Sequence, residues 1–184
     1  MKTLKHCLVV TMLLAVAGTI ACSKSSTQSP DVADNIRKSL DQAGLKAVSV
    51  SQDRDKGVVT LTGNVPADAD KAQAQSIATS MASGEVVANQ IAVVPPGATG
   101  EAKDVNSDLD AAIGKNLDAA LIKNRLHKAV SYKVKNGVVT LTGEVNSEAS
   151  RARAEKVATG VPNVQQVVNE LQIKGHKATA SAGQ

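Results

Sequence analysis

Residues that commonly carry out chemistry are few in this chain and poorly spaced for it. His6 and His176 lie close to the two chain ends, which leaves His127 without a partner for a metal site or for general base catalysis. We interpret His127 as a solvated surface residue. The sequence also lacks the nucleophile-elbow, phosphate-loop and dinucleotide-binding motifs. We therefore expect no catalytic residue, no metal site and no cofactor.

One acidic run has the beginning of a cation-binding pattern. Asp53-Arg54-Asp55-Lys56-Gly57 is similar to the opening of a calcium loop. Its glycine falls one place early, however, and the twelfth position is Asn64 rather than a bidentate glutamate. The run is better explained as a polar hairpin turn.

The densest charge pattern is basic. Six residues fall within thirteen positions, with no acidic residue between them: Lys123, Arg125, His127, Lys128, Lys133 and Lys135. Lys133 and Lys135 alternate with Tyr132 and Val134, so burial of the latter pair would place both lysines on the opposite face of a strand. The pattern predicts a cationic surface. Alternatively, these side chains only keep a small domain soluble.

An internal repeat organises the chain. Gly-Val-Val-Thr-Leu-Thr-Gly occurs at residues 57–63 and again at 137–143, an offset of 80 residues, and matching positions continue for about thirty residues beyond each copy. Four glycines bound the two copies: Gly57, Gly63, Gly137 and Gly143. Gly63 and Gly143 close the predicted hairpins, and their retention predicts a backbone angle or a close approach that a side chain would obstruct.

Each copy has the same predicted order of helix, strand, strand, helix, strand. We expect the first helix to begin at Ser29-Pro30-Asp31, with a serine N-cap, and the second strand to return through a hairpin. The final strand, near residues 87–94 or 167–174, follows a helical crossover, which favours a mixed sheet. The prediction is an α+β protein of two tandem αββαβ modules. Each has a three-stranded mixed sheet with two helices on one face, leaving the other face to solvent or a partner.

The N terminus has the features of an export signal. Residues 1–21 carry two lysines, an apolar run over residues 8–17 and then small residues. Cys22 follows Thr19-Ile20-Ala21, which resembles a bacterial lipobox, and Ser23 resembles an outer-membrane sorting signal. We therefore expect lipid attachment at Cys22 and a location at the outer membrane. Cleavage by an ordinary signal peptidase is the alternative.

Composition changes mark the remaining boundaries. Residues 22–29 are predicted to be a polar tether, residues 95–102 a Pro/Gly linker and residues 175–184 a disordered tail. Two modules remain, at residues 30–94 and 103–174.

The repeated residues resemble a known family. The hairpin with its two glycines, the alanine-rich helix and the closing Val-x-Asn-x-Ile-x-Val pattern are similar to the BON domain of osmotically induced periplasmic proteins and outer-membrane lipoproteins. The resemblance implies a non-catalytic module that binds phospholipid surfaces or associates with the cell envelope. Both modules are covered.

The two modules differ in net charge, and this difference predicts that the second module makes the membrane contact. Residues 31–95 have six Lys or Arg against eight Asp or Glu, a net charge of −2, whereas residues 101–175 have eleven against nine, a net charge of +2. The six basic residues are thus candidates for binding anionic phospholipid. An envelope protein partner, contacted through outward residues such as Thr140 and Thr142, and binding of potassium are the alternatives. Nucleic acid is not expected, because the chain has one aromatic residue for base stacking.

Overall fold

The computed structural model describes residues 28–175 and 181–183. The expected export signal and Cys22 lie outside these residues. The elements of the first module are α1 (Ala33–Gln42), β1 (Val48–Asp53), β2 (Val58–Val65), α2 (Asp68–Met81) and β3 (Val86–Val93). Those of the second are α3 (Thr99–Lys123), β4 (Val130–Lys135), β5 (Val138–Val145), α4 (Glu148–Thr159), β6 (Gln166–Asn169), β7 (Gln172–Ile173) and β8 (Ser181–Gly183).

The predicted fold class and the mixed sheets are confirmed. In the first module β2 is the central strand, antiparallel to β1 and parallel to β3. In the second module β5 is antiparallel to β4 and parallel to both β6 and β7. The last strand, expected to be continuous, is therefore interrupted in the second module between Asn169 and Gln172.

Each module has its own apolar core between its helices and one face of its sheet. Ala74 and Ala78 on α2 are fully buried, as are Ala154 and Ala158 on α4. Because alanine has only a methyl side chain, both helices lie close against their sheets. Leucine, isoleucine and valine fill the remaining volume, and Tyr132 packs at the edge of the second core.

The predicted start of the first helix is wrong. α1 begins at Ala33, and its N-cap residue Val32 makes no side-chain capping bond. Instead, the Oε1 atom of Gln52, on β1, accepts hydrogen bonds from the backbone N–H groups of Val32 at 3.1 Å and Ala33 at 3.3 Å. A side chain distant in sequence thus satisfies the free donors at the helix end. By contrast, the side chain of Ser147 caps α4 directly, accepting a hydrogen bond from the Ser150 N–H group.

Two predicted boundaries also need correction. The linker is shorter than expected, because α3 already begins at Thr99. Just before it, Gly97 has a φ angle of 87° and the Ala98 N–H group bonds the Pro95 carbonyl at 3.1 Å, which forms a tight turn. Part of the tail expected to be disordered is ordered, since Ser181–Gly183 pairs antiparallel with β6. The free edge of β6 offers unpaired backbone donors and acceptors. A segment that lacks alternating apolar and polar residues can therefore still pair with it as a strand.

The prediction for the repeated glycines is confirmed. Gly63 and Gly143 have φ angles of 132° and 123°. A Cβ atom on Gly63 would overlap the carbonyl oxygen of Ala47, and one on Gly143 would overlap that of Ala129. Gly57 and Gly137 lie in the hairpin turns and have φ angles of 67° and 78°, a backbone conformation that favours glycine.

Candidate functional site

The structure divides the six predicted basic residues into two groups. Lys123 is the last residue of α3, and Arg125, His127 and Lys128 occupy the turn that leads to β4. All four side chains are exposed. They form a compact group, which we call the basic turn. None of these four residues takes part in an ion pair within the described part of the chain.

Lys133 and Lys135 extend away from the basic turn along β4. Both are exposed, while Tyr132 and Val134 pack against the core, so the predicted alternation is confirmed. A strand advances about 3.3 Å per residue, which places the Cα atom of Lys135 about 16 Å beyond that of Val130. Lys135 therefore lies at the far end of the strand, in a cleft between the modules.

The backbone of Arg125 is in the left-handed conformation, with a φ angle of 57°. It occupies the position after the end of α3, where the Leu126 N–H group bonds the Leu121 carbonyl at 2.9 Å. The first module makes the same closing bond, from Leu45 to Leu40, but has Gly44 at this position, with a φ angle of 83°. Glycine is the usual residue here because a side chain is disfavoured in this conformation. Arg125 therefore adopts this backbone conformation at an energetic cost.

An apolar side chain accompanies the basic turn. Ile122 is 58% exposed and lies directly before Lys123. It is one of two large apolar residues exposed in the described part of the chain; the other is Val105, nearer the start of α3. The charge pattern does not single out Ile122, although its place beside Leu121 and off the stripe of every fourth residue is visible in the sequence. The basic turn thus combines exposed charge with a hydrophobic side chain.

The two modules pack together through their open sheet faces, which the sequence left to solvent or a partner. A small apolar cluster, separate from both cores, joins the two sheets. Its members are Val58, Val86, Ala88, Val138 and Val168. Val58 and Val138 are equivalent residues in the repeat, as are Ala88 and Val168. Corresponding surfaces of the two copies therefore face each other.

Polar contacts around this cluster follow the same correspondence. The Nζ atom of Lys56 lies 2.9 Å from Oε2 of Glu170, whose side chain is only 11% exposed. The equivalent residues also meet, since the Nδ2 atom of Asn136 donates to the Gln90 carbonyl at 2.8 Å. These matched contacts define an approximate two-fold relation between the modules.

Gln166 closes part of the outer edge of the first sheet. Its Nε2 atom donates to the Val87 carbonyl at 2.6 Å, and its Oε1 atom accepts from the Asn89 N–H group at 3.1 Å. The side-chain amide therefore pairs with β3 as a neighbouring strand would. The equivalent position in the first module is Val86, so this contact could not be inferred from the repeat.

We expect the Lys56–Glu170 contact to make the free energy of unfolding depend on pH in the alkaline range. The hydrogen bond that Lys56 donates to the Glu170 carboxylate is the main cause that raises the pKa of Lys56 above its usual 10.5, and Asp53 adds to it. Because the folded-state pKa is the higher one, the stabilisation is complete below pH 10.5 and is lost as the pH rises through the folded value. Lys56→Met should lower the free energy of unfolding by about 0.5–1 kcal/mol at neutral pH, since the lysine is partly exposed.

Urea denaturation of wild type and of Lys56→Met, at neutral and at strongly alkaline pH, measures this effect. The difference between wild type and Lys56→Met should shrink at alkaline pH. Lys46→Met, which removes an exposed lysine outside any ion pair of the described residues, should show no such change. A Lys56→Met difference that stays constant across the pH range would contradict the assignment.

Two other kinds of feature are absent from the described residues. Residues 28–175 contain no group of three or more His, Cys, Asp or Glu side chains able to hold a metal ion. Within the same part of the chain, no helix combines the length and the apolar character needed to cross a bilayer.

Comparison with known proteins identifies the repeated unit. The BON domain matches residues 28–95 and 107–175, which together cover both modules. The chain belongs to the BON domain family. It is 30% identical over 137 residues to osmotically-inducible protein Y of Escherichia coli (strain K12), covering 73% of this chain and 67% of that protein. The two BON modules thus account for most of the shared length.

Two further matches are either shorter or weaker. An uncharacterised protein from the gshII 5′ region of Anaplasma centrale is 34% identical over 70 residues, covering 38% of this chain and 46% of that protein. CdsD, a structural protein of the type III secretion system of Chlamydia trachomatis, is 14% identical, with a TM-score of 0.35, covering 76% of this chain and 90% of that structure. A score this low carries no functional conclusion.

Proposed function

We propose that this protein is a non-catalytic component of the cell envelope whose second BON module docks on anionic phospholipid surfaces. The basic turn, formed by Lys123, Arg125, His127 and Lys128, makes the contact. The observation that carries the proposal is the left-handed backbone of Arg125. Backbone strain of this kind is concentrated at functional positions, and the first module has Gly44 at the equivalent position.

The strength of the contact follows from its charge and its apolar neighbour. Each basic side chain near an anionic leaflet contributes about 1 kcal/mol, which decreases within a Debye length of the surface. Three formal charges therefore give millimolar-range affinity by themselves. Insertion of the exposed Ile122 side chain adds about 1 kcal/mol of apolar burial. The result is weak docking that is sensitive to salt.

A lipid anchor makes such weak docking effective. Lipid attached to Cys22 would hold the modules beside the membrane, so the basic turn binds at a high effective concentration. We propose that the protein is periplasmic, anchored at the outer membrane, and supports envelope integrity under osmotic stress. The similarity to osmotically-inducible protein Y supports the stress and envelope part of this proposal.

Co-sedimentation of the purified chain with phosphatidylglycerol-containing vesicles tests the proposal. Lys123→Glu combined with Lys128→Glu should lower the affinity at least tenfold, because each substitution reverses a charge near the surface. Lys38→Glu combined with Lys46→Glu makes the same change in net charge on exposed residues of the first module and should have little effect. Binding of wild type should weaken as salt increases and disappear with neutral lipid.

Arg125→Gly separates function from stability. It should leave the free energy of unfolding unchanged or raise it by up to about 1 kcal/mol, because glycine relieves the left-handed backbone. Affinity for the vesicles should nevertheless fall about fivefold. If the Lys123→Glu/Lys128→Glu protein and Arg125→Gly bound vesicles as tightly as wild type, the basic turn would be rejected as the membrane-binding surface. If crosslinks from Thr140 or Thr142 to an envelope protein persisted in that case, the protein-partner hypothesis would replace it.

A further inference from the structure

A cleft between the two BON modules has the size and chemistry of a site for a small ligand. It has a volume of about 610 Å³ and is bounded by the ends of β2 and β3, the first half of α3 and the end of β4. Ligand sites typically have volumes of 300–1,000 Å³ and occur preferentially between domains. The part of the cleft formed by Ala92, Val94 and Val134 is apolar. Both modules contribute, so neither forms the cleft alone.

Cationic and hydrogen-bonding side chains line the polar part of the cleft. Lys103 on α3 and Lys135 on β4 both reach it, and neither takes part in an ion pair of the described residues. Asn64, Asn106 and Ser107 provide amide and hydroxyl groups. This combination suits an oxyanion, which accepts hydrogen bonds and is attracted by the ammonium groups.

The carboxylate in the cleft is already committed to the protein backbone. Oδ2 of Asp110 accepts from the Asn136 N–H group at 2.7 Å, and Oδ1 accepts from the Gly137 N–H group at 2.9 Å. Asp110 thus holds the β4–β5 turn, with its two oxygens directed to the backbone. Lys103 and Lys135 remain available to a ligand.

A half-buried lysine lies in a smaller chamber next to the cleft. This chamber has a volume of about 160 Å³ and shares Ala92, Asn106, Asp110 and Asn136 with the cleft. Lys71 lines it, and its Nζ atom donates to Oε1 of Gln165 at 3.0 Å. Burial is the main cause that lowers the pKa of Lys71, only partly offset by Asp68 and Asp110. An anion bound nearby would stabilise this ammonium group.

We propose that the cleft between the modules binds a small organic anion with a carboxylate or phosphate group. Lys103 and Lys135 contact the anionic group, and the apolar part of the ligand lies against Ala92, Val94 and Val134. The site is distinct from the basic turn, since Lys103 lies twenty residues before Lys123 on α3. Because its walls come from both modules, the bound ligand would also strengthen their association.

Titration calorimetry of the purified chain with glycerol 3-phosphate, inorganic phosphate and citrate tests the site. At least one probe should bind saturably, and Lys103→Ala or Lys135→Ala should each weaken that binding about tenfold. Lys133→Ala is the matched control, because Lys133 lies on the same strand face but does not line the cleft. Circular dichroism checks that each variant, altered only at an exposed side chain, remains folded.

Three outcomes would overturn the proposal. One is the absence of saturable binding by all three probes at millimolar concentrations. Another is an equal loss of binding in Lys133→Ala, which would indicate a general charge effect. The third is that binding to phosphatidylglycerol vesicles depends on Lys103 and Lys135 while the soluble probes do not bind. That result would assign these lysines to the membrane-binding surface.

Discussion

Gly63→Ala is expected to lower the free energy of unfolding of the first module by about 3 kcal/mol or more. The new methyl group would overlap the carbonyl oxygen of Ala47, a backbone atom of the neighbouring segment that cannot move away as a side-chain end can. The φ angle of 132° at Gly63 is also unfavourable for alanine. Relief requires the β1–β2 pair to separate near its end, where Val48 lies opposite Gly63.

Gly44→Ala is the matched control for this prediction. Gly44 also has a positive φ angle, 83°, but a Cβ atom there would meet nothing within 4 Å. Only the backbone conformation is penalised, at about 1 kcal/mol. Urea denaturation followed by circular dichroism compares the two variants. Similar losses of stability for Gly63→Ala and Gly44→Ala would show that the close approach to Ala47 is unimportant.

Asn169→Leu is expected to destabilise the second module by about 2–4 kcal/mol. Asn169 is completely buried. Its Nδ2 atom donates to the Arg151 carbonyl at 3.2 Å and to Oε2 of Glu155 at 2.8 Å, while its Oδ1 atom accepts from the Leu171 N–H group at 3.2 Å. One side chain therefore fixes α4 to the sheet and satisfies the backbone where the last strand is interrupted. Leucine has a similar volume but removes all three hydrogen bonds.

The same arrangement occurs in the first module, so Asn89→Leu should have a comparable effect. Nδ2 of Asn89 bonds the Lys71 carbonyl and the side chain of Gln75, and its Oδ1 atom accepts from the Ile91 N–H group. Gln172→Leu is the control, because this exposed amide should contribute less than about 0.5 kcal/mol. Thermal and urea denaturation measure the three variants. Losses no larger for the two asparagine variants than for Gln172→Leu would refute the structural role of the buried amides.

The features that repeat within the chain could be predicted from the sequence. Apolar periodicity indicated the helices and strands, and the retention of Gly63 and Gly143 indicated a close backbone approach. Asn89 and Asn169 recur at equivalent positions of the last strand, but their hydrogen bonds to α2 and α4 could not be derived from the sequence. A side-chain amide has partners only once the helix and sheet have been packed together.

The features that differ between the copies required the structure. Gln52 caps α1 although it lies nineteen residues after Ala33, a distance at which local capping patterns give no signal. The pairing of β8 with β6 depends on a free strand edge and not on side-chain periodicity. Likewise, Lys135 was grouped with the basic turn by its position in sequence, whereas the length of β4 takes it to the cleft between the modules.

We propose above that the basic turn of the second BON module is the surface that meets an anionic membrane. Two-dimensional ¹⁵N–¹H NMR of the purified chain with anionic lipid nanodiscs tests it most directly. The largest changes in signal position or intensity should occur at residues 122–128, followed by Lys133, and should vanish with neutral lipid. Changes centred on the first module, for example at residues 46–56, or binding that leaves residues 122–128 unaffected, would contradict the account.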